Sequence, residues 1–211
     1  MSLSLKITET TNIFLRKIGA ALAPLINSRV NKNKSKIIRR VKEFVEAQIK
    51  IQPEVQELTL MDGPGSLNAM LGITSAEAAV AVDAIIREIT NTMRVDLVPF
   101  NKSFRGGINL IFSNIDIHNL SLIPEGSKIT LSGNLDWLNW LLVRGDAPII
   151  IGYRYKADTR GRTGGGIMLK GSFFRIPPKF SGTTEDNFIT RALSGEEQEA
   201  KITKIFQEIL G

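Results

Sequence analysis

Apolar side chains recur at Phe14, Ile18, Leu22 and Leu25 or Ile26, a spacing that gathers them on one side of a helix over Asn12 to Ile26. Pro24 lacks an amide hydrogen and crowds the preceding turn, so a bend or interruption is expected there. After "NSRVNKNKSK" the period resumes at Ile37, Val41, Phe44, Val45 and Ile49, and Pro53 ends it or opens a new turn. "MDGPGSLNAMLGI" begins as a turn-rich linker at Asp62 to Gly65. Thr74 and Glu77 have the spacing of a capping box, and Val82, Ile85, Ile86, Ile89 and Met93 supply the stripe of the helix that follows.

The period then changes. "MRVDLVPF", "GINLIFS" and "SKITLSG" are short alternating or β-branched runs, with Gly106 and Gly107 separating the first two. "NLDWLNWLLVRGD" predicts a short helix with Leu135, Leu138 and Leu142 on one side, closed by Gly145. "APIIIGYRYKA" is the strongest strand, and its run Ile149, Ile150, Ile151 predicts cover on both faces. "GIMLKGSFFRIPP" is its returning partner, which makes Ala157 to Gly165 the tip of a long hairpin. Phe188, Ile189, Ala192 and Leu193 start a C-terminal helix, Ser194 and Gly195 mark a break, and Ile202, Ile205, Phe206 and Ile209 form a second stripe.

Helices, then strands, then helices predict one α+β domain over residues 1–211, with N-terminal helices, a central, mostly antiparallel sheet and a C-terminal helix. Residues 1–60 form a helical basic N-terminal region. Too few helix-length segments separate the strands from Val95 to Pro177 for the crossovers of a doubly wound parallel sheet.

Composition narrows the chemistry. An apolar content of 43% with 23% charged residues is that of a folded globular chain. No run approaches the about eighteen apolar positions of a membrane helix, and "MSLSLKITETTNIFLRK" lacks the order and cleavage site of a secretory signal, so cytosolic synthesis is expected. Cysteine is absent and His118 is the only histidine, which removes disulfides, thiolate nucleophiles, zinc–thiolate sites and histidine pairs. No catalytic residue, metal site or cofactor is expected. Asp116 precedes His118 by two residues on an expected strand or loop, but a pair of that kind implies no nucleophile. A carboxylate-based, metal-dependent hydrolase would require Asp116, Asp136 and Asp146 to converge in a polar cleft.

The net charge of +6 is uneven. Arg16 to Lys42 holds nine basic side chains and no acid, whereas Glu185 to the C-terminus holds six acids against three bases. A polyanion or an acidic protein surface is the neighbour this asymmetry favours, with a solvated helix face as the plain alternative. Arg29, Lys32, Lys34, Lys36 and Arg39 are the candidate phosphate-facing residues of this run. It has neither a helix-turn-helix nor the aromatic interleaving of a single-strand platform, so it supports non-specific phosphate contact at most.

"TRGRTGGGIML", residues 159–169, fails the phosphate motifs. Gly161 and Gly166 have Walker spacing, but Ile167 and Met168 stand where lysine and a hydroxyl residue belong, and the segment joins two strands. What remains is a hairpin tip flanked by Arg154, Lys156, Arg160, Arg162 and Lys170. Arg160 and Arg162 are candidates to face phosphates or an acidic partner. Gly164, Gly165 and Gly166 are candidates for subunit contact, and a solvated tip is the plain reading. Trp137 and Trp140, three apart among leucines, are candidates for a subunit interface, with core packing expected for at least one.

The order of these features resembles the small neck, head–tail joining and tail-completion proteins of tailed bacteriophages. "GSLNAMLGI" (65–73) is similar to the Gly-x-Leu segment after that family's long helix. "LDWLNWLLVRGDAPIIIGYRY" is similar to the segment that turns into its central strands, and "GTTEDNFITRAL" (182–193) to the entry into its last helix. "WLLVRG" departs from the family's Glu-Phe-Gly turn, with Val143 and Arg144 in place of the usual pair. The resemblance implies a non-enzymatic virion protein at the neck or head–tail junction. Its copies would form a hexameric or dodecameric ring around the DNA channel. Portal, adaptor or tail-terminator proteins would be its partners, genomic DNA would be contacted non-specifically, and no membrane would be involved. A free non-specific nucleic-acid-binding protein is the alternative.

Overall fold

The computed structural model describes residues 11–103, 105–112, 117–130, 133–161 and 164–210. Its first element, α1 (Thr11–Lys50), is one helix of 40 residues, about 60 Å long at 1.5 Å per residue. The helix is not interrupted at Pro24, which lies inside it, and it continues through the polar run. Proline removes a single backbone bond there, and the lysines and arginines that follow are good helix formers. Asn27 also fastens the middle of α1, donating from Nδ2 to the Phe100 carbonyl (2.9 Å) and accepting from the Phe100 N–H (2.8 Å).

Three helices follow: α2 (Pro53–Thr59), α3 (Leu67–Leu71) and α4 (Ser75–Thr92). The capping box at the start of α4 forms as expected, with the Thr74 hydroxyl accepting from the Glu77 N–H and the Glu77 carboxylate accepting from the Thr74 N–H.

Among the described residues the strands are antiparallel, as expected, and are distributed over three two-stranded ribbons. β1 (Met93–Val98) pairs with β2 (Gly107–Phe112), β3 (Lys128–Thr130) with β4 (Gly133–Leu135), and β5 (Ile150–Ala157) with β6 (Gly166–Phe174). Between them lie α5 (Ile117–Ser121), a 3-10 turn at Pro124–Gly126, and α6 (Trp137–Leu142). The strand or loop expected around His118 is thus helical in its backbone, while Asp116 falls outside the described residues. α7 (Phe188–Leu193) and α8 (Glu196–Leu210) complete an α+β chain, separated at Ser194–Gly195 as the sequence predicts.

One core joins these elements. Ile37, Val41, Val45 and Ile49 on the second half of α1 meet Val55 and Leu58, the α4 stripe, Trp137, Leu138, Leu141 and Leu142, and Phe188, Ile189 and Ala192. An ion pair deep beside it ties α2 to α7: Glu54 is 2% exposed and receives Arg191, which also reaches Asp186 (2.6 Å).

Cover on both faces of the Ile149–Ile151 run is corrected: Ile151 is 81% exposed. Gly152 (φ 86°) sits where the pairing shifts between Ile151 and Tyr153. A bulge of this kind re-aims the strand, and a two-stranded ribbon has no second layer on its outer face.

Candidate functional site

The basic residues of α1 divide by helical spacing. Arg29, Lys32, Lys36 and Arg39 are separated by three, four and three residues, so they lie in one row. All are exposed. Arg39 approaches Glu43 at 3.7 Å, whereas Lys32, Lys34 and Lys36 have no carboxylate within ion-pairing distance among the described residues. Lys34 is not part of the row. Its spacing places it with the buried Val30, Ile37 and Val41, on the side of α1 that faces the body of the protein, although its own side chain is exposed.

The β5–β6 ribbon carries the second group. The sequence-predicted hairpin tip is confirmed, and Arg162 lies outside the described residues. Arg160 does not present a bare charge. Its Nε and an Nη donate to the two Asp158 carboxylate oxygens at 2.9 and 2.7 Å, and its backbone N–H adds a third bond at 3.0 Å. These bonds hold the Asp158 carboxyl well below the usual carboxylate range.

The glycines have different settings. Gly164 takes φ 70°, and a Cβ there would meet open space. Gly165 is packed within the chain: its carbonyl accepts from the Gly65 N–H (3.2 Å) and from the Tyr155 hydroxyl, and a Cβ on it would collide with Ala69. Gly166 lies equally close to the Tyr155 ring. The base of the hairpin is thereby locked to the Gly63–Gly65 turn of the same copy.

Trp137, expected at a subunit interface, is 1% exposed in the core and has no surface to offer a neighbour. Trp140 is half-buried beneath the Arg144 guanidinium, 5.3 Å from the ring centre, and its Nε1 has no hydrogen-bond partner. The sequence did not single out the outward face of the ribbon. There Ile151 (81% exposed) and Phe173 (47%) stand opposite each other, followed by Arg154 opposite Leu169 and Lys156 opposite Ile167. Alternation in "GIMLKGSFF" contains that face, but the shift at Gly152 needed to align it is not visible in one strand alone.

Of the three aspartates a hydrolase would need to bring together, Asp116 lies outside the described residues, and the other two have partners of their own. Asp136 accepts from Asn134, and Asp146 is engaged by Ser181 (2.9 Å) and Arg175 (3.5 Å). Among the described residues no three His, Cys, Asp or Glu side chains are grouped to hold a metal ion, and no helix is long and apolar enough to cross a membrane. A groove of about 420 Å³ between α1 and α4 is lined by Ile38, Ile86 and Thr90 together with Arg39, Lys42, Glu43 and Glu46, and its two acids are already paired, Glu43 with Arg39 and Arg40 and Glu46 with Lys50. No protein-family model, curated protein or solved structure matches the chain.

Proposed function

We propose that this chain is a non-enzymatic structural subunit that assembles with copies of itself around DNA, as a hexameric or dodecameric ring in the neck or tail-completion region of a tailed bacteriophage. The observation that carries the reading is the presence, on one chain, of a row of exposed cations along α1 and a ribbon face on which Ile151 and Phe173 stand exposed with no covering layer. Cations at regular helical spacing suit phosphates, which supply charge without sequence information. Apolar side chains on a projecting ribbon suit a neighbouring subunit. The phage setting comes from the resemblance carried by "GSLNAMLGI", "LDWLNWLLVRGDAPIIIGYRY" and "GTTEDNFITRAL".

Native mass spectrometry of the full chain, alone and with linear duplex DNA at stepped salt, tests it. A discrete species of six or twelve copies on DNA is expected. Loading of copies one by one along the duplex, with no preferred number, would replace the ring with the non-specific binding protein.

A further inference from the structure

A pocket of about 220 Å³ opens between the start of α4 and the 3-10 turn at Pro124–Gly126. Ile73, Val80 and Trp137 supply its apolar lining, with Glu77, Glu125 and Lys128 around them. Val80 is 56% exposed. Lys128 is committed to Glu77, whereas the half-buried Glu125 carboxylate has neither an ion pair nor a hydrogen bond among the described residues. A carboxylate beside apolar surface gives up water without a compensating cation, so the pocket is complementary to a group that is apolar and positive at once.

The β5–β6 ribbon carries such a group. Ile151 and Phe173 stand exposed on its outward face, and the Arg154 side chain crosses Gly171 beside them, its Cγ 3.0 Å from where a Cβ on that glycine would lie. Arg154 has no acid partner among the described residues.

We propose that the pocket receives this ribbon face from a second copy, with Ile151 and Phe173 against Val80 and the pocket floor and the Arg154 guanidinium on the Glu125 carboxylate. The contact rests on the self-assembling reading of the chain and names the surface that the ribbon meets. Charge complementarity selects the occupant. A second ribbon would set Arg154 and Lys156 against like charges, and the basic row of α1 would do the same. The acidic start of α8, at Glu196, Glu197 and Glu199, answers the cations but adds no exposed large apolar side chain. Pocket and ribbon are different patches of one chain, so the contact is heterologous. Each copy offers one of each, and repetition makes a ring where the rotation closes, whereas a ribbon-to-ribbon contact would stop at two copies.

The absence of cysteine makes the contact testable in the full chain on duplex DNA. After treatment with a short bismaleimide, Val80→Cys and Ile151→Cys are each expected to remain single chains, a mixture of the two to give covalent dimers and nothing longer, and the double variant to give a ladder. Cross-linking of Ile151→Cys alone would show ribbon against ribbon and overturn the contact. Charge reversal reads the ion pair. Arg154→Glu and Glu125→Arg are each expected to raise the concentration needed for assembly by about tenfold or more, because like charges then face each other. The combined Arg154→Glu/Glu125→Arg chain is expected to recover the wild-type value, with unchanged far-ultraviolet dichroism in all three. A loss that the combined chain does not recover would assign Arg154 to DNA and overturn the pair. Native mass spectrometry separates the contact from the ring. A DNA-bound ring of wild-type mass in Arg154→Glu and in Glu125→Arg, formed at unchanged concentration, overturns the contact and leaves the ring; a wild-type chain with no preferred copy number overturns both.

Discussion

At Gly165 the hairpin meets the body of the protein, and the close approach leaves no room for a side chain. Gly165→Val is expected to destabilise the fold by about 1–3 kcal/mol, the usual cost of overpacking, which lowers the thermal midpoint by about 2–4 °C per kcal/mol in a chain of this size. Gly107→Ala, where the added carbon meets open space, should leave the midpoint nearly unchanged. Glu77 offers a test in pH. The hydrogen bond from Lys128, followed by that from the Thr74 N–H, lowers its carboxyl from the ordinary value of 4.5. A depressed folded-state value contributes stability that is fully present above the unfolded value and is lost as the pH falls through the folded one. Glu77→Gln keeps an acceptor for Thr74 but loses the charge. It should therefore be less stable than the wild type at pH 7, by less than about 1 kcal/mol for a half-exposed pair. The gap should close as the pH falls below 4.5 in calorimetric scans.

Among the elements, those set by local rules were legible in the sequence. The α4 capping box, the Ser194–Gly195 break and the β5–β6 hairpin each follow from residues a few positions apart. Features set at long range were not. The Glu54–Arg191 pair spans 137 positions, and the outward turn of Ile151 depends on how β5 aligns with β6. No interruption forms at Pro24 because a local breaker rule meets a helix whose neighbouring turns and Asn27 anchor outweigh one missing bond. The row of cations and the departure of Lys34 from it follow from spacing alone, but not the grip of Asp158 on Arg160. The two halves of α1 should also differ in dynamics, because only the second half buries an unbroken stripe. Amides of residues 12–22 are expected to exchange with deuterium faster than those of 37–49, by tenfold or more (roughly 1.4 kcal/mol of local opening energy). Equal protection in both halves would show that the first half is held as firmly as the half that packs into the core.

For the whole molecule, the distribution of charge decides how it meets DNA, and salt titration reads that distribution directly. Each duplex phosphate contact contributes about 0.9 to the slope of log K against log salt. If the α1 row supplies the contacts, Lys32→Ala and Lys36→Ala should each reduce the slope by about that amount, and the two losses should add, since the residues are a turn apart and share no acid. Lys34→Ala carries the same formal change of charge on another side of the helix and should have a smaller effect. Net charge alone would predict equal losses at all three positions. The ribbon tip distinguishes them further. Arg160 is already held by Asp158, so Arg160→Ala should change the slope little, whereas Asp158→Asn releases the guanidinium and should strengthen binding. Fluorescence anisotropy of a labelled duplex across a salt series measures all five variants. Equal losses for the three lysine and arginine positions 32, 34 and 160 would mean that DNA responds to overall charge, and the ordered row along α1 would lose its role.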